Sequence, residues 1–236
     1  LQTNSCLYLF PSSLSDDAGK EWLCAKEFEL LDTIDIWFAE NERTARRFLR
    51  SLGYKKEFTE HNLFTLDKDT APSELETYIK LIQSHSNAAI LSEAGCPGIA
   101  DPGSALIKRA HREHIEVIAL PGPSSILLAM MASGFSGQQF TFHGYLPIDG
   151  VQRKSKLKQL EHDANASGSS HIFIETPYRN EQVLESIFAC CNAETLLCIA
   201  SNLTSASGFC KTKKISDWKK DMPQLHKIPT VFIFGK

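Results

Sequence analysis

No Cys-x-x-Cys pair occurs in the 236 residues, and the seven cysteines (Cys6, Cys24, Cys96, Cys190, Cys191, Cys198 and Cys210) are odd in number. That spacing offers neither a zinc ribbon nor a thioredoxin-type dithiol; it predicts reduced thiols and a cytoplasmic protein. G-x-G-x-x-G and G-x-x-x-x-G-K-[ST] are missing too, which disfavours a common dinucleotide fold and a P-loop nucleotidase. Without H-E-x-x-H or G-x-S-x-G, the commonest zinc-protease and serine-hydrolase signals are gone, and no metal site is expected. No apolar run reaches the ~18 residues of a membrane span. The first five residues, LQTNS, lack the charged-then-apolar layout of a signal peptide, and also an initiator methionine, as a trimmed chain would. No repeat recurs at a fixed period.

What is present belongs to an ordinary soluble globular protein: 42% hydrophobic and 22% charged residues. A mass of 26.3 kDa allows one to two domains. The net charge of −3 excludes a wholesale polybasic nucleic-acid binder, but it conceals a split. Residues 1–150 hold 13 basic against 20 acidic side chains, and residues 151–236 hold 12 against 8.

Short apolar runs alternate with amphipathic stretches. Strands are expected at 6–10, 34–39, 88–92, 115–120, 140–145, 171–175, 195–200 and 230–234. Helices are expected from a cap at Asp16 or Asp17 to residue 31, and at 43–52, 72–85, 104–114, 124–133, 153–163 and 180–191. Gly53 stops the second helix. This order predicts an α/β protein with largely parallel pairing. Pro121-Gly122-Pro123 is the candidate boundary, giving α/β domains 1–121 and 122–236.

Three segments carry candidate chemistry. Residues 91–103, LSEAGCPGIADPG, follow an expected strand and precede a helix. Gly95, Gly98 and Gly103 would let a flat or charged ligand approach the backbone there, since open α/β sheets bind ligands at the carboxyl ends of their strands. A plain strand-to-helix loop is the alternative. Residues 39–49 place Glu40 at a strand end and Arg43, Arg46 and Arg47 on one turn of helix, either for a substrate or as a solvated face. At 173–179, Glu175 and Arg179 either pair with each other or face a ligand. His61 and His143 read as structural or surface groups.

Together these segments resemble the tetrapyrrole-methylase-like (class III) methyltransferases, which use S-adenosylmethionine. The closest subgroup is the ribosomal RNA small-subunit methyltransferase I group. Residues 91–103 resemble S-D-A-G-T-P-x-I-S-D-P-G, residues 7–15 L-Y-x-x-x-T-P-x-G, and residues 39–49 A-E-D-T-R-x-T-R-x-L-L. Residues 120–125 resemble L-P-G-P-S-A, 142–147 F-x-G-F-L-P, 175–179 E-S-P-H-R, and 200–204 A-R-E-L-T. The matches run in order over most of the chain. Departures are Ser12, Ser13, Leu14 and Ser15 at T-P-x-G, Asn41-Glu42 after Glu40, Glu93 for Asp, Cys96 for Thr, Gly98 for a bulky residue, Ala100 for Ser, and Ser201 for Arg.

The resemblance implies two α/β domains with S-adenosylmethionine in a cleft between them. It implies cofactor contacts from Ser13, Ala94, Gly95, Cys96, Ile99, Ser124, Ser125, Glu175 and Leu203. Glu40, Arg43, Glu175 and Arg179 are the implied catalytic candidates, as base, anchors and cations toward phosphate or a developing alkoxide. The implied reaction is 2′-O-methylation of a ribose in small-subunit ribosomal RNA by a cytoplasmic homodimer. Arg153, Lys154, Lys156 and Lys158, with Lys211, Lys213, Lys214, Lys219 and Lys220, are the candidate contacts to RNA or the 30S subunit. The alternatives are a small-molecule substrate such as a tetrapyrrole precursor, or a non-catalytic S-adenosylmethionine-binding relative.

Overall fold

Side-chain alternation along the strands sorts the core into two layers on each of two sheets. The computed structural model describes residues 5–15, 23, 25–84 and 87–236. The chain forms two compact units, 1–123 and 124–236, dividing at the end of Pro121-Gly122-Pro123. Asp16 and Asp17, expected to cap the first helix, lie outside the described residues, as does Cys24.

The first unit runs β1 (Cys6–Phe10), α1 (Ala25–Leu31), β2 (Ile36–Ala39), α2 (Glu42–Leu52), β3 (Leu63–Thr65), α3 (Pro72–Ser84), β4 (Asn87–Leu91), α4 (Ser104–Arg112) and β5 (Glu116–Ala119). Its sheet has the order β3-β2-β4-β1-β5, and every pairing is parallel. Trp37, Ala39, Ala89 and Leu91 join one apolar layer with Leu31, Ala45 and Leu49 of α1 and α2. Their neighbours Ile36, Phe38, Ala88 and Ile90 join the other, with Tyr78, Ile82, Leu106 and Ala110 of α3 and α4. Both faces are thus covered, as a parallel sheet requires. Each large side chain so buried contributes about 1.5–3 kcal/mol.

Right-handed crossovers explain the two layers. From β1 the chain steps through β2 to the β3 edge, and from β3 it returns through β4 to the β5 edge. The neighbours β1 and β4 therefore send their outgoing loops to opposite faces. In open α/β sheets, ligands bind at the carboxyl ends of strands whose loops diverge in this way.

The second unit runs α5 (Ser125–Ala132), β6 (Phe140–Tyr145), α6 (Gly150–Ser167), β7 (Ser170–Ile174), α7 (Asn180–Cys190), β8 (Leu196–Ser201), β9 (Phe209–Lys214), α8 (Ile215–Lys220) and β10 (Thr230–Phe234). Its sheet has the order β6-β7-β10-β8-β9. Only β6 and β7 pair in parallel; β7–β10, β10–β8 and β8–β9 are antiparallel. The expectation of largely parallel pairing fails here for a physical reason. Residues 202–208 join β8 to β9, and a link that short cannot carry the crossover a parallel pair needs. Alternation again splits the core. Phe232 and Phe234 face α6, α7 and α8, while Val231 and Ile233 face α5.

The six described cysteines are free thiols. No helix among the described residues is long and apolar enough to cross a membrane.

Candidate functional site

In the first unit, two adjacent strand ends are stitched together. Ser12 N–H donates to Gly95 O at 2.8 Å, and Gly95 N–H returns the bond to Ser12 O at 3.1 Å. Ser12 Oγ donates to Ser92 O, and Ser92 Oγ donates to Gly95 O at 2.7 Å. Ser12, which departs from the family's Thr, therefore still ties the first loop to the Gly/Pro-rich one. Gly95 is needed there because its φ is +76°, and a Cβ would meet Leu14 Cδ2 at 3.2 Å and Pro123 O at 3.3 Å. Cys96 Sγ donates to Pro123 O at 3.5 Å, and burial pushes its thiol up. Asp101 Oδ1 accepts from Gly98 N–H at 3.0 Å and Gly103 N–H at 2.8 Å, which fixes the far half of the turn.

The segment following β2 reaches the same edge. Asn41 caps α2, its Oδ1 accepting from Arg43 N–H at 2.9 Å and Thr44 N–H at 3.2 Å. Thr44 Oγ1 donates to Glu93 Oε1 at 2.6 Å, which joins α2 to the glycine turn. Glu40 stands beside this junction. Partial burial, then the carboxylates of Glu93, Asp101 and Asp67, hold its carboxyl above the usual range. Arg43 is exposed on the first turn of α2 and makes no ion pair among the described residues. Arg46 pairs with Glu42 at 3.0 Å, and Arg50 lies 4.7 Å from the ring centroid of Phe58. The structure thus brings together Glu40, Arg43, Ala94, Gly95 and Cys96, with Ser13 next to the bridging Ser12. Ile99 is 54% exposed on the turn and offers an apolar surface there.

In the second unit, Glu175 follows β7 with its side chain fully buried. Its Oε1 accepts from Thr176 N–H at 2.7 Å. Arg179 Nη2 comes within 2.8 Å of Oε2, an ion pair off the line of a hydrogen bond. Of the two readings open for this pair, mutual pairing is realised. Arg153 is 8% exposed, so it is no surface contact for RNA. Its Nε donates to Ser186 Oγ at 3.1 Å and its Nη1 to Ile148 O at 2.9 Å, holding the loop after β6 from below. Three of the other candidate cations are taken up by carboxylates: Lys213 by Asp221, Lys214 by Glu194 and Lys220 by Asp217. Ser124 caps α5, its Oγ accepting from Leu127 N–H at 3.4 Å, and Ser125 begins that helix. Leu203 packs in the layer facing α5.

His61 is exposed, 3.5 Å from Glu60. His143 Nε2 and His171 Nδ1 lie 2.9 Å apart, and Ser169 Oγ is 3.1 Å from His171 Nε2. Among the described residues no three His, Cys, Asp or Glu side chains are grouped to hold a metal ion. Ser12, Ser92, Asn41 and Asp101, which build the first-unit edge, all fall within the motif segments, but the sequence assigned none of them a role. Only Asn41, just ahead of a basic amphipathic run, carries a local signal, that of a helix cap.

Known proteins place this arrangement. The family model for tetrapyrrole (corrin/porphyrin) methylases matches residues 19–212. The ribosomal RNA small subunit methyltransferase I of Leptospira borgpetersenii serovar Hardjo-bovis is 31% identical over 217 residues, 91% of this chain and 82% of that protein. The Escherichia coli O157:H7 protein of the same name is 29% identical over 198 residues, 84% of this chain and 65% of that one. The chain thus spans about two thirds of the Escherichia coli relative. The crystal structure of uroporphyrin-III-C-methyltransferase from Thermus thermophilus shares the fold, with a TM-score of 0.60 at 16% identity over 98% of this chain and 94% of that one. A family-model match over most of its length, with a relative 31% identical over 91% of it, makes this chain a member of the tetrapyrrole (corrin/porphyrin) methylase family.

Proposed function

We propose that the chain is an S-adenosylmethionine-dependent methyltransferase acting on small-subunit ribosomal RNA, at a ribose 2′-hydroxyl. The carrying observation is the joining of separated loops at one edge of the parallel sheet by the Ser12–Gly95 bridge and the Thr44–Glu93 bond. The residues present suit the cofactor. S-adenosylmethionine has no phosphate, and it asks for backbone donors, a carboxylate and an apolar wall. Among the described residues, the amides of Ala94 and Cys96 donate to no protein acceptor, and Ile99 offers the exposed apolar surface. On this reading Ser13, Ala94, Gly95, Cys96 and Ile99 of the first unit hold the cofactor.

When bound, the cofactor supplies an electrophilic methyl group for in-line displacement. The chain's part is to align a weakly acidic hydroxyl and to take its proton. Glu40 suits the second task, because a carboxyl held above its usual range is the better base. Arg43 is available for a phosphate of the RNA. Arg179 stabilises the Glu175 carboxylate and, through it, the turn at residues 175–179.

The test is a calorimetric titration with S-adenosylmethionine, followed by methyl transfer to 30S subunits and naked ribosomal RNA, with ribose methylation mapped by mass spectrometry. One-to-one binding with a new 2′-O-methyl group is expected. Transfer to a tetrapyrrole precursor but to no RNA would overturn the substrate, and absence of cofactor binding would overturn the activity. We also infer a cytoplasmic homodimer, as the family resemblance implies; sedimentation of the purified chain at the monomer mass would reject the dimer.

A further inference from the structure

Tyr178 is 69% exposed, yet the turn that carries it is fixed by buried and backbone bonds. Arg179 N–H donates to Thr176 O at 2.9 Å, and Lys227 N–H donates to Pro177 O at 2.9 Å. Asn180, fully buried at the start of α7, donates from Nδ2 to Ile228 O at 2.7 Å and to Leu225 O at 3.3 Å. Lys227 adopts a φ of +62°, a costly conformation for a residue with a Cβ. Two loops, residues 175–179 and 225–228, are locked against each other.

What they present is an aromatic ring edged by one ammonium group and one imidazole. Lys227 Nζ lies 5.9 Å from the ring centroid of Tyr178, and the His226 ring stands edge-on at 6.2 Å and 80°. A tyrosine used for packing is normally covered; this one stands on a fixed turn and is left largely exposed. A ring open to solvent beside an ammonium group matches one unstacked base and its phosphate. The flanking groups are polar and basic, which suits a nucleotide better than an apolar protein surface.

We infer that Tyr178, with Lys227 and His226, is a stacking subsite for one nucleotide of a single-stranded RNA segment. The inference rests on the RNA reading above and adds a positioning residue to it. Tyr178→Ala, Tyr178→Phe and Lys227→Ala variants of the full chain are assayed for methyl transfer to 30S subunits and to protein-free ribosomal RNA, with cofactor binding measured in parallel. Tyr178→Ala is expected to raise KM for both RNA substrates about tenfold, the scale of one lost base stack, while kcat and cofactor affinity hold. Tyr178→Phe keeps the ring and is expected to restore wild-type KM, which a folding defect would not allow. RNA carrying 4-thiouridine is expected to crosslink to residues 176–179 or 225–228. Unchanged KM in Tyr178→Ala with a working wild-type enzyme overturns the subsite alone. A KM increase on 30S subunits but not on protein-free RNA overturns it in favour of a ribosomal protein contact. A wild-type chain that binds the cofactor and methylates no RNA overturns the RNA reading, and the subsite falls with it.

Discussion

Glu40 and Glu175 both follow strands, and their surroundings treat them in opposite ways. Glu175 is buried against Arg179, so its charge is matched and its position fixed. Glu40 is left among Glu93, Asp101 and Asp67, which with partial burial raise its pKa. A matched carboxylate organises a turn, whereas a crowded one holds and releases protons. Glu40→Gln is therefore expected to lower kcat for methyl transfer by about 10²–10⁴-fold, the range for removing a general base, with cofactor affinity unchanged. Calorimetry beside a single-turnover assay separates the two quantities. The sequence named both carboxylates but left open whether Glu175 pairs with Arg179 or faces a ligand, because that depends on how the turn after β7 folds. The histidines show the same limit. Burial, then the Lys156 ammonium and His171, push His143 down to about 4, and burial lowers His171 as well. Depressed folded values mean that the unfolded chain binds more protons between about 4 and the ordinary ~6.5. This contribution to stability is complete above that interval and is lost as pH falls through it. Urea unfolding across the interval should show the loss, and His143→Gln should flatten it.

At the scale of elements, periodicity located most of the fold. The strand at 140–145 was expected and found at Phe140–Tyr145, and the one at 230–234 at Thr230–Phe234. Gly53 ends α2 in the left-handed region, as expected of a helix stop. Three elements were not legible. β3 spans three residues, Leu63–Thr65, too few to show a period. β9 reads FCKTKK, and lysines seldom suggest a strand, yet on an edge strand they guard against pairing with another sheet. α8 follows it directly and is only six residues long. The glycine turn after β4 was legible as a special loop, but the partner that makes it a site, Ser12, was not. Its role arises from β1 and β4 being neighbours, a fact of topology. The turn's conformation is testable through Gly95→Ala. A left-handed alanine costs about 1–3 kcal/mol, and its Cβ presses on Leu14 and Pro123 O. Denaturant unfolding is expected to show that loss, together with weaker S-adenosylmethionine binding. A variant of wild-type stability and affinity would show that the turn tolerates a side chain.

Over the whole molecule, the charge split loses much of its simple meaning. The basic surplus of residues 151–236 suggested an RNA-facing rim of two lysine-rich stretches. One of them is largely spent internally: Lys213, Lys214 and Lys220 hold carboxylates of the same unit, and Lys213 and Lys219 lie 4.5 and 5.9 Å from the rings of Trp218 and Phe188. The other survives in part, on α6. Arg153 is buried, but Lys154 and Lys158 are exposed, one helical turn apart on a shared face, and form no ion pair among the described residues. Uncommitted lysines release counterions when they meet phosphate, whereas paired ones exchange one anion for another. The slope of log affinity against log salt for single-stranded RNA is therefore expected to fall by about 0.7 for each of Lys154→Gln and Lys158→Gln. Lys214→Gln with Lys220→Gln removes the same formal charge and is expected to leave the slope nearly unchanged. Equal slopes for the two double variants would mean that net charge alone attracts RNA. Unequal slopes in the stated order would assign the attraction to one face of α6, in the same unit as the exposed ring of Tyr178.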